Sequence, residues 1–160
     1  AFVDTDSWIE EKVGLSVSEI FAVKGEACFR DLETECIKHF LQNGLESESC
    51  EDRKDGSLTE SGGSVISVGG GLPVREENQK LLRKLGRVIY LKARPDTIYE
   101  RLQQDTTRPL LQTENPLQKI KDMIAAREEK YQAAAHEVIN VDGKSISEIM
   151  EEIVKNEKIQ

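Results

Sequence analysis

Apolar residues recur along this chain in two rhythms. Short apolar runs bounded by glycine or polar residues predict buried strands: the end of one at 1–3, then 65–68, 87–91 and 138–141. Between them the spacing widens to 3 and 4. Phe29, Leu32, Cys36 and Phe40 predict a helix over 26–42, ended by Gly44. Shorter helices are predicted at 7–13, stopped by Gly14, and from Ser16 to Gly25, where Ser16-x-x-Glu19 forms a capping box. Further helices are predicted at 75–85, 96–103 beside Pro95, 119–135, and 145 to about 154. Strands alternating with helices predict a three-layer α/β/α fold with a mostly parallel sheet. At 160 residues a single domain over 1–160 is expected, with no internal repeat.

Two stretches interrupt the rhythm. Residues 45–64 hold six acidic side chains against Arg53 and Lys54, lack apolar periodicity, and predict an acidic surface loop. Residues 105–118 contain Pro109 and Pro116 and read as a second loop. The net charge of −8 argues against nucleic acid and against an anionic membrane as partners. No apolar run approaches the length of a membrane-spanning helix. Three cysteines without metal-ligand spacing fit a reducing compartment, so a cytoplasmic location is expected. A monomer is the expected state, though no residue pattern carries it.

In open parallel sheets ligands bind beyond the carboxyl ends of the strands. Three strand ends carry polar or glycine residues: Asp4 and Asp6, then Gly69-Gly70-Gly71, then Asp142-Gly143. Two aspartates at i and i+2 suit Mg²⁺ or a substrate hydroxyl, and equally suit helix capping. A glycine triplet admits a ligand to backbone amides, or is a plain turn. Arg30 and Glu33, at i and i+3 on one helix, can pair. Arg101, Arg108 and Arg127 could hold carboxylate or phosphate, or be solvated surface charges. Neither His39 nor His136 has a matching nucleophile nearby in sequence.

Taken in order, these pieces resemble shikimate kinase. The matching residues are Phe2-Val3-Asp4-Thr5-Asp6, Ile20-Phe21, Gly25-Glu26-x-x-Phe29-Arg30-x-x-Glu33, Gly69-Gly70-Gly71, Arg108-Pro109-Leu110-Leu111 and Arg127-x-x-x-Tyr131. They span nearly the whole chain. The resemblance implies a P-loop kinase of the nucleoside-monophosphate-kinase type. It implies transfer of the γ-phosphoryl of ATP to the 3-hydroxyl of shikimate, with Mg²⁺, in chorismate and aromatic amino-acid biosynthesis. It further implies that Asp6 binds the substrate hydroxyls and accepts a proton, and that Arg30 and Arg127 hold the substrate carboxylate. By the same resemblance Glu33 orients Arg30, the Gly70 amide contacts substrate, and Asp4 lies beside Mg²⁺. Arg108, in a lid over 105–118, reaches the transferred phosphoryl, and Arg101 stacks on adenine.

Residues 1–160 contain no GxxxxGK[ST] motif, which in that family precedes the first aspartate motif. The first βα unit is therefore expected to be missing from a fragment that is inactive by itself. The alternatives are a non-catalytic shikimate-binding relative that has lost ATP binding, or a related small-molecule kinase such as a gluconate kinase.

Overall fold

Asp4 is the residue at which the first strand becomes the first helix. The computed structural model describes residues 1–45, 63–103 and 114–157. Their contacts cluster into two units, Ala1–Gly86 and Arg87–Gln160. In the first unit, β1 (Phe2–Asp4) ends as the Asp4 carboxylate turns onto α1 (Thr5–Val13). Its Oδ1 accepts the Asp6 and Ser7 amides at 3.0 and 3.1 Å, satisfying two amides that the helix itself leaves open. The capping reading of the aspartate pair thus holds for Asp4.

The predicted capping box opens α2 (Val17–Asn43): Ser16 Oγ accepts the Glu19 amide, and Glu19 Oε2 accepts the Ser16 amide at 2.8 Å. At Gly25 the backbone leaves helical geometry, with φ 82° and ψ 168°. The element is therefore two helical segments meeting at a kink, close to the two expected. β2 (Val65–Ser67) pairs in parallel with β1, Asp4 facing Ser67. A single 3₁₀ turn, Leu72–Val74, leads into α3 (Glu76–Leu85). Ile9, Ile20, Phe29, Cys36 and Phe40 form the core of this unit. Burial pushes the Cys36 thiol up to about 12, so it serves as an apolar core residue.

In the second unit, β3 (Ile89–Lys92) pairs in parallel with β4 (Glu137–Asn140). α4 (Pro95–Leu102), α5 (Pro116–Ala134) and α6 (Ile146–Glu157) complete it. Most boundaries here differ from the sequence reading by a residue or more, and two of them by two or more at the start. β3 starts at Ile89, two residues into the expected 87–91, and runs on to Lys92; before it, the Val88 amide donates to His136 Nδ1 at 3.0 Å. α5 starts before 119 because Pro116 occupies the first helical position and Asn115 Oδ1 accepts the Gln118 amide at 3.1 Å. Residues 116–118 are accordingly helical, not loop. The acidic stretch lies outside the described residues except at its ends, as do 105–113 with Arg108. No helix among the described residues is long and apolar enough to cross a membrane.

The kink at Gly25 occupies a backbone region essentially closed to residues with a Cβ. Gly25→Ala should destabilise the protein by about 1–3 kcal/mol. Urea unfolding checks this, and an unchanged midpoint would show that the kink relaxes freely.

Candidate active site

The second segment of α2 carries Arg30 away from the core that Phe29 helps to build. The Arg30 guanidinium is enclosed by two carboxylates from its own helix. Its Nη1 donates to Glu33 Oε2 at 2.9 Å. Its Nε and Nη2 donate to Glu26 Oε1 at 3.2 and 2.9 Å. The rings of Phe21 and Phe29 lie 5.9 and 5.6 Å from its Cζ, within cation–π range. Burial works against the charge, but the Glu33 and Glu26 contacts outweigh it and hold the guanidinium pKa above its ordinary value.

Glu33 is only 1% exposed. Burial pushes its carboxyl up, and the hydrogen bond and charge of Arg30 only partly offset that. Asp6 adds to the rise, and the charge of Arg75 opposes it. Arg75 reaches the same helix, donating to Asp31 at 2.7 Å.

The two aspartates diverge in character. Burial raises the Asp4 pKa, but the Ser7 amide, the Ser67 hydroxyl and the Asp6 amide together draw it below the usual carboxylate range. Asp6 goes the other way. Desolvation raises it first, then the charges of Asp4 and Glu10, with only Arg30 opposing. Its Oδ1 is buried and has no hydrogen-bond partner among the described residues. A desolvated carboxylate oxygen left unsatisfied is a ready acceptor for a hydroxyl.

The glycine triplet closes against this cluster. The Gly69 amide donates to buried Thr5 Oγ1 at 3.4 Å, tying the loop to the start of α1. A Cβ at Gly69 would sit 3.1 Å from Asp6 Oδ1 and 3.6 Å from Glu33 Oε1. A Cβ at Gly71 would sit 1.9 Å from Arg30 Nη1. The guanidinium thus rests where only a residue without a side chain leaves room.

The structure therefore brings together Asp4, Asp6, Arg30, Glu33 and the Gly69–Gly71 loop around Gly70. Arg101 and Arg127 belong to the second unit. Arg101 Nη2 lies 3.5 Å from the Val141 carbonyl, and Arg127 shares a face of α5 with Lys119, Asp122, Met123 and Ala126. Among the described residues no cluster of three or more His, Cys, Asp or Glu could hold a metal. Mg²⁺ needs fewer protein ligands than that, since it keeps waters and takes one or two carboxylates with phosphate. The ionised Asp4 fits such a donor set. Sequence reasoning quoted Thr5 and Glu26 within matching motifs but gave no role to them or to Arg75. Glu26 had a local signal for its role, four residues before Arg30; the roles of the other two had none, because their partners are distant in the chain.

The shikimate kinase family model matches residues 1–47 and 50–158. A shikimate kinase from Thermodesulfovibrio yellowstonii is 39% identical over 154 residues, covering 96% of this chain and 78% of that protein. One from Thermus thermophilus is 36% identical over 155 residues, covering 96% and 74%. Among solved structures, shikimate kinase from Acinetobacter baumannii in complex with shikimate aligns with a TM-score of 0.77 and 30% identity, covering 96% of this chain and 76% of that one. The Aquifex aeolicus shikimate kinase aligns at 0.73 with 28% identity, covering 99% and 81%.

Two outcomes follow from this geometry. Gly71→Ala should displace the Arg30 guanidinium, since its Cβ has no room beside Nη1; a crystal structure of the variant with Arg30 unmoved would refute this. The raised Asp6 pKa fixes a sign for stability. Below the ordinary carboxyl range the protonated form is held at no penalty, and stability is lost as pH rises through the raised native value. Asp6→Asn should therefore raise the melting temperature at pH 7 and bring no gain at pH 3. Thermal scans at both values check it.

Proposed function

The chain belongs to the shikimate kinase family, and from that premise we propose how its residues share the work. It is an ATP-dependent phosphotransferase of the shikimate pathway, with the α/β P-loop kinase fold of its solved relatives. The reaction joins the substrate's 3-hydroxyl oxygen to the γ-phosphorus of ATP as the bond to the β-phosphate oxygen breaks and ADP leaves. The observation that carries the residue assignment is the Arg30 guanidinium, fixed by buried Glu33 beside the unsatisfied Asp6 oxygen.

Arg30 takes the substrate carboxylate, and the family resemblance gives Arg127 the same role. A planar fork suits a carboxylate better than an ammonium does. Gly70 offers its amide to the substrate from the loop that Thr5 ties to the start of α1. Asp6 accepts the hydrogen of the attacking hydroxyl. Its desolvation makes it more basic than a surface carboxylate, which is what an acceptor of a hydroxyl proton needs. Phosphoryl transfer otherwise asks mainly for alignment and charge compensation. Arg108 supplies a positive charge to the transferred phosphoryl, and Arg101 contacts the adenine. Asp4 would hold Mg²⁺, which when bound neutralises phosphate charge. The GxxxxGK[ST] phosphate cradle of P-loop kinases is not among residues 1–160. The family match runs through both units, which supports their acting as one domain. The reading also takes the protein to be a cytoplasmic monomer, without nucleic-acid or membrane partners.

Arg30→Ala and Arg127→Ala should each weaken shikimate binding by about 2–4 kcal/mol, because each leaves a charged partner under-paired. Arg30→Lys should also weaken it, because the fork is lost. Titration calorimetry with shikimate is the test, and affinity near that of the parent in both alanine variants would overturn the assignment. For Asp6→Asn, steady-state assays should show a large fall in turnover with the fold retained.

A further inference from the structure

Arg30 has five N–H donors in one plane. Glu33 Oε2 takes one from Nη1. Glu26 Oε1 takes Nε–H and one from Nη2. One N–H on each Nη therefore has no partner among these two glutamates and is left for an anionic ligand such as a carboxylate. A single bond to Glu33 would leave the guanidinium free to pivot about that contact. The two bonds to Glu26, on a different edge, remove the pivot. Gly71, which has no side chain to displace the guanidinium, and the rings of Phe21 and Phe29 border the seat. The two glutamates differ sharply in setting: the Glu33 side chain is 1% exposed and that of Glu26 is 65% exposed.

We propose that Glu26 is a positioning residue: it fixes the plane of Arg30 so that one N–H on each Nη is presented to the substrate carboxylate. This rests on the assignment of that carboxylate to Arg30. The geometric role predicts the opposite sign from a purely electrostatic one. A carboxylate this near an anionic ligand repels it, so removing the charge alone would tighten binding. Removing the acceptor oxygen frees Arg30 to swing and weakens binding. The two roles separate in Glu26→Ala and Glu26→Gln, because the amide oxygen of glutamine can still accept both bonds without the charge.

The experiment measures, by calorimetry on the protein and its variants, the affinity for shikimate and for the analogue whose carboxylate is replaced by a neutral carboxamide. Glu26→Ala should weaken shikimate about tenfold, as expected for a misaligned binding group. It should leave the carboxamide and the melting temperature unchanged, since an exposed ion pair contributes little to stability. Glu26→Gln should restore most of the loss. Arg30→Ala, run alongside, should abolish the preference for carboxylate over carboxamide. If Arg30→Ala abolishes that preference while Glu26→Ala keeps or strengthens it, the positioning role falls and the assignment to Arg30 stands. If Arg30→Ala keeps the preference, the carboxylate lies elsewhere and both fall.

Discussion

The ion pair between Arg30 and Glu33 is the interaction around which the first unit arranges its chemistry. A carboxylate this buried is costly unless its partner is close and its geometry good. Here the partner lies one helical turn away on the same element, so the contact is set by helix geometry. The cost is visible in Glu33 itself, whose proton affinity stays raised despite the guanidinium. Removing Arg30 would leave that charge uncompensated beside Asp6. Removing Glu33 would leave the guanidinium without its buried anchor.

From this pair outward, each neighbour is constrained. Gly71 has no side chain because the guanidinium occupies the space one would need. Gly69 lies against Asp6 and Glu33 for a similar reason. Phe29 points into the core while Arg30, the next residue, points into the site, so core packing and site geometry share one turn of helix. The kink at Gly25 sets where that turn begins.

The site is also anion-rich, and that is chemically useful. Asp4, Glu10 and burial all raise the proton affinity of Asp6, while Asp4 is held ionised by hydrogen bonds at the start of α1. Two aspartates two residues apart thus acquire opposite characters, one a stable anion and one a base. Functional sites commonly hold such tension at some expense of stability. Asp4 serves twice, as the cap that starts α1 and as the ionised oxygen donor suited to a cation.

The chain by itself determined the local elements and the local pair. Short apolar runs, 3-and-4 spacing, the Ser16–Glu19 box and the glycine stops all act within a few residues, so they were legible. So was Arg30 with Glu33, because three residues along a helix is a fixed distance. Asp4 and Asp6 were legible as candidates but not as distinct from each other, because which one caps and which one is desolvated depends on α1 and on Gly69, some 60 residues away in sequence. The start of α5 was misplaced because Pro116 marks a loop and a first helical turn equally well, and the Asn115 cap decides between them. Only the tertiary structure decided that Gly71 is the seat of Arg30, that Thr5 anchors the glycine loop, and that Arg75 lies close enough to influence Glu33. Each is a contact between segments far apart in the chain, where sequence spacing carries no distance information and packing alone sets what meets.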